Sequence, residues 1–136
     1  MSARRAPATP ADLGDAGAEA IRRINHLTKG PDAFAEPGDV YALVGELARL
    51  AHALPQALNQ AEAWLDHADT HELIHTDTPV IDPLPVVDPV PVTTLARSSL
   101  RLSAALAANL AHALDGAHAH LAHLAPARPR ELENPK

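Results

Sequence analysis

The residues His71, Glu72, Leu73, Ile74 and His75 spell H-E-x-x-H. On a helix that spacing sets two imidazoles one turn apart, where they can ligate zinc, beside a glutamate that can activate water for peptide hydrolysis. A catalytic zinc also needs a third ligand. The usual extension of the pattern puts glycine at position 78 and histidine at 81, where this chain has Thr78 and Ile81. A ligating glutamate on a later helix is missing too, because the next glutamate after Glu72 is Glu131. Chance supplies one such spelling in about 3% of chains of this composition. The alternative left by these residues is a metal ridge. His67, His71 and His75 stand at i, i+4 and i+8, so a helix continuing past Asp69 would align them for zinc or nickel.

A second group, His112, His118, His120 and His123, falls in the last helical stretch, with His120 and His123 sharing a face while His118 points elsewhere. It reads as amphipathic surface. Protonating all 9 histidines would move the formal net charge from -6 to +3, so association should respond to pH. The chain has no cysteine, hence no thiolate metal site and no thiol nucleophile. It also has no glycine-rich phosphate loop and no serine on a strand-turn-helix elbow. Arg22, Arg23, Arg49, Arg97 and Arg101 are dispersed along an acidic chain, a poor electrostatic footprint for nucleic acid. No catalytic residue, cofactor or nucleic-acid partner is assigned on these grounds.

The elements that carry these residues follow from composition. Alanine and leucine, with 29 and 19 copies, dominate 136 residues, and the aromatics are Phe34, Tyr41 and Trp64 alone. Helix formers therefore prevail over strand formers, and one all-α domain over residues 1–136 is expected. Helices are predicted over 10–29, 39–68 and 93–125, with a proline-rich connector over 69–92 and a frayed tail over 126–136. Thr9 caps the first helix, with Pro10 at its first position; Asp39 caps the second; Thr93 or Thr94 caps the third. Pro55 lies inside the second pattern, but the apolar phase continues through it, which predicts a bent continuous helix. The connector places Pro79, Pro83, Pro85, Pro89 and Pro91 among valines, and so is expected in a groove of the helices. It is long enough to allow either a parallel or an antiparallel return.

The second helix carries the strongest pattern. Leu43, Leu47, Leu50, Leu54 and Leu58 lead into Trp64 and Leu65 at intervals of mostly three and four residues. Leu102, Leu106 and Leu110 mark the apolar face of the third helix. Both stripes are expected to be covered, with Trp64 as a core or interface anchor. The many alanines around Ala104 to Ala111 allow a close helix approach.

The stretch from Asp39 to Leu65, DVYALVGELARLAHALPQALNQAEAWL, resembles a segment of small uncharacterised all-helical proteins of actinobacteria, some carried on plasmids or integrated mobile elements. The resemblance covers about a fifth of the chain through the leucine seam, Leu54-Pro55-Gln56 and Trp64-Leu65. It implies a helical fold and brings no activity, cofactor or catalytic residue.

The fold expected is a three-helix bundle of two long helices and a shorter N-terminal one. The function expected is a non-enzymatic interaction or assembly module that binds a protein partner or its own copy through the leucines named above. The competing expectation is a metal-binding protein or zinc-dependent hydrolase using His67, His71 and His75. Met1 to Pro10 shows no secretory pattern, and the longest apolar run, Leu102 to Leu114, is broken by Ser103, Asn109 and His112. A cytoplasmic location with no membrane partner is expected.

Overall fold

A computed structural model describes residues 7–75 and 91–127, which form an all-α three-helix bundle. Helix α1 spans Pro10–Leu27, α2 Pro37–Thr70 and α3 Val92–Leu121. Among the described residues there is no strand.

The helix starts follow local chemistry. At α1, the Thr9 hydroxyl accepts the Asp12 amide while the Asp12 carboxylate takes back the Thr9 amide at 2.8 Å, a reciprocal cap. Helix α2 begins earlier than expected. Asp39 sits within the first turn instead of at the cap, and its carboxylate accepts the amides of Ala35 and Glu36 at 2.9 and 3.2 Å. The carboxylate thus reaches back to the amides of the cap residue and the one before it, as the N3 acid of a capping box does. Helix α3 starts at Val92 after Pro91, so Thr93 and Thr94 lie inside it and neither caps it. Its end at Leu121 comes four residues short of the expected 125. Helix α2 runs unbroken through Pro55, as its apolar phase predicted.

Helices α2 and α3 are antiparallel, which settles the direction that the connector length leaves open. Tyr41 meets His118 near one end, His52 meets Asp115 further along, and Glu62 meets Arg97 and Arg101 towards the other. Their backbones pack through alanine. Ala48, Ala51 and Ala68 of α2 and Ala104, Ala107 and Ala111 of α3 are the buried hydrophobic residues, and Ala51 and Ala111 retain only 1% exposure. On α2 the seam passes Val44, Ala48, Ala51, Pro55, Leu58, Glu62 and Leu65; on α3 it passes Arg97, Leu100, Ala104, Ala107, Ala111, Leu114 and His118. Both series alternate steps of four and three, the repeat of a coiled coil with small residues at its centre. Small side chains let the axes approach at the short end of the usual range, about 8 Å.

This core overturns one expectation. Leu50, Leu54 and Trp64 of α2 and Leu102, Leu106 and Leu110 of α3 were expected to find cover, yet all six are exposed. Trp64, 58% exposed, anchors no core. The physical reason is phase. The leucine stripe of α2 runs one residue ahead of the alanine seam, about 100° around the helix, so both cannot face α3. Backbone proximity through alanine wins the interface and the leucines turn outward.

Among the described residues α2 and α3 are the pair of helices whose backbones come close together. Helix α1 lies on the side of α2 that carries Leu43, Leu47, Leu50 and Leu54, at a greater separation, and has no buried residue. Ile21 and Ile24 of α1 are half-buried against the Leu43 to Leu54 stretch of α2. Between them run two open apolar clefts of about 360 and 400 Å³. The expectation that the proline-rich connector lies in a groove falls largely on residues 76–90, outside the described residues.

Candidate functional site

The two faces of the α2–α3 hairpin differ in chemistry. Residues one step C-terminal to the seam lie on one face, since His52 on α2 and Asp115 on α3 reach each other there, Nε2 to Oδ2 at 2.8 Å. Arg101 belongs to the same face and donates to the Glu62 carboxylate at 2.6 Å. Arg97 donates to that oxygen from Nε at 2.8 Å and pairs with Asp66 through its second arm at 2.7 Å. The Glu62 side chain is 15% exposed, and these hydrogen bonds, led by the one from Arg97, hold its carboxyl below the usual value of 4.5. This polar face staples the hairpin and fixes its register.

Residues one step N-terminal to the seam lie on the opposite face, because in an antiparallel pair the same offset on both helices points to the same side. On α2 these positions are Leu43, Leu47, Leu50, Leu54, Ala57, Ala61 and Trp64. On α3 they include Ser99, Ser103, Leu106, Leu110 and Ala113, with Leu102 further out. None of these side chains is charged. Leu43 and Leu47 are half-buried, whereas Leu50, Leu54 and Trp64 are 38 to 58% exposed and Leu102, Leu106 and Leu110 50 to 61%. Of the ten residues expected at an interface, Leu58 and Leu65 belong to the α2–α3 seam, and the other eight lie outside it, on the apolar face and its outer edge.

The histidines of the H-E-x-x-H segment are not brought into a metal-ligating array. Helix α2 ends at Thr70 with His71 as its cap. Glu72 follows in the left-handed region, φ 54°, its amide bonding the Asp69 carbonyl at 3.2 Å and the Leu73 amide bonding the Ala68 carbonyl at 2.8 Å. This paired bonding is a Schellman motif, which reverses the chain and takes His75 off the helix, so the ridge His67, His71, His75 is not formed. The His71 ring instead leans on that of His67, centroids 4.1 Å apart, and its Nδ1 donates to the His67 carbonyl at 2.8 Å. Among the described residues no group of three or more histidine or acidic side chains is placed to hold a metal ion.

The second histidine group also disperses. His112, His120 and His123 are exposed, while His118 is half-buried with its imidazole stacked on Tyr41. This stack was not anticipated. It depends on Gly45, where an added Cβ would stand 2.9 Å from the His118 Nε2. The signal that locates it is the alanine series at steps of four and three, which extends to Leu114 and His118 and puts a glycine opposite an aromatic-sized side chain.

Among the described residues no helix is long and apolar enough to cross a membrane. No family model, curated protein or solved structure matches the chain.

Proposed function

We propose that this protein is a non-enzymatic helical interaction module that associates, with a protein partner or with its own copy, through the uncharged leucine face of the α2–α3 hairpin. The observation that carries this reading is the exposure of Leu50, Leu54, Leu102, Leu106 and Leu110 while alanines fill the core. Burying one leucine fully is worth about 1.5 to 3 kcal/mol, so a row of them in water is a strong drive to association. The opposite face, with its ion pairs, keeps the hairpin soluble and its register fixed. Light scattering after gel filtration tests the reading. A mass above 14.3 kDa that rises with concentration supports it, and a strict monomer at tens of micromolar contradicts self-association.

A metal-dependent reading is the rival in sequence terms. Calorimetric titration of chelator-treated protein with zinc discriminates the two. Tight one-to-one binding lost in His75→Ala would favour the metal reading, and casein hydrolysis lost in Glu72→Gln would favour an enzyme.

A further inference from the structure

We infer that the occupant of the apolar face is a second copy of this chain, seated so that α3 of each copy lies over the groove between α1 and α2 of the other. The inference rests on the interaction reading above and names its partner.

Charge is the first argument. The chain carries a formal net charge of -6, so copies repel in general, and a basic partner would be drawn to acidic surface. The positions one step before the seam, from Leu43 to Trp64 on α2 and from Ala96 to Ala117 on α3, carry no formal charge. The α1–α2 groove adds one charged pair, Glu46 with Arg49, which neutralise each other, so the contact as a whole carries no net charge and fits a partner with the same surface.

Area is the second. Helices α2 and α3 overlap for most of their 34 and 30 residues. At 1.5 Å per residue and about 20 Å across, α3 together with the α1–α2 groove, in which α1 already covers part of the α2 leucines, offers on the order of 800 Å², which is what one partner of a stable dimer contributes.

Shape selects the arrangement. The ion pairs His52 to Asp115 and Glu62 to Arg101 set Leu106 and Leu110 level with the middle of α2. At that level the α1–α2 groove opens a cleft of about 400 Å³ between Gly17 and Ala18 on one wall and Leu54 and Ala57 on the other. A twofold axis parallel to the helices carries Leu106 and Leu110 of one copy over that cleft in the other, and does the same in return. The same surface is then used by both copies, as a closed dimer requires. The facing helices run antiparallel, the arrangement of an up-down bundle.

The absence of cysteine makes the test clean. Ala57→Cys and Leu106→Cys alter exposed side chains, so neither removes a core contact. Mixed at micromolar concentration under mild oxidation, the two variants are expected to form a disulfide between position 57 of one copy and 106 of the other. Asn59→Cys, on the polar face, should not pair with Leu106→Cys. Gly17→Leu, built where an added Cβ meets nothing within 4 Å, fills the cleft and should weaken association at least about tenfold. Association of the wild type without the 57–106 bond, equal capture by Asn59→Cys, or unchanged affinity in Gly17→Leu would overturn this arrangement and leave the interaction reading standing. A wild type that stays monomeric at all concentrations would overturn the arrangement and self-association together.

Discussion

The imidazole of His118 lies on the ring of Tyr41, with centroids 3.9 Å apart and 21° between planes. The stack bridges α3 to α2 where Gly45 removes the side chain that would otherwise occupy the space. Replacing Gly45 by alanine forces the end of the His118 side chain aside, losing a stack worth about 0.5 to 1.5 kcal/mol, while alanine gains about 1 kcal/mol in helix propensity. Thermal unfolding of Gly45→Ala is therefore expected within about 1 kcal/mol of wild type. Adding His118→Ala to that variant should cost less than His118→Ala alone, because the stack is already gone. Equal costs in both backgrounds would refute the coupling.

The alanine seam and the leucine stripes should respond oppositely to substitution. Ala51→Leu or Ala111→Leu inserts three carbons where 1% exposure leaves no room, and a loss of about 1 to 3 kcal/mol is expected in urea denaturation. Leu106→Ala removes a side chain that is 58% exposed and should change the stability of the isolated chain by about 0.5 kcal/mol or less. The reverse order would place the core on the leucines.

Glu62 predicts a pH dependence. Its carboxyl is held below the ordinary value of 4.5, chiefly by the hydrogen bond from Arg97, so the folded state binds the proton less readily than the unfolded chain. The stabilisation is present above 4.5 and is lost as pH falls through the lowered folded value. Glu62→Gln should lower the melting temperature at pH 7 and narrow its gap to wild type at acidic pH. A gap that is constant with pH would contradict the role of this pair.

The left-handed Glu72 stores strain at the end of α2. Glu72→Gly is expected to stabilise the chain by about 0.5 to 1 kcal/mol, since glycine adopts that conformation without a Cβ penalty. Destabilisation in the melting curve would argue against the reversal at this position.

The helical class, the three elements and the Thr9 cap are legible in the sequence because each depends on local spacing. The hairpin core is harder to read, because α2 carries two apolar series one residue apart. Leucine at 43, 47, 50 and 54 outweighs alanine at 48 and 51 in any count of hydrophobicity, yet alanine permits the close backbone approach. The end of α2 at Thr70 falls within two residues of the expected 68, but its form is hidden, since a glutamate in the left-handed region carries none of the glycine signal that normally marks a helix end. The ion pairs of Glu62 depend on register across the hairpin, which no local spacing encodes.

Sedimentation equilibrium of the wild type beside Leu106→Asp/Leu110→Asp is the most direct test of the outward leucine face. The wild type is expected to show a mass rising from 14.3 kDa towards twice that value, and the doubly charged variant a monomer of unchanged helix content. A wild type that is monomeric throughout, or a charged variant that associates as strongly, would contradict the account.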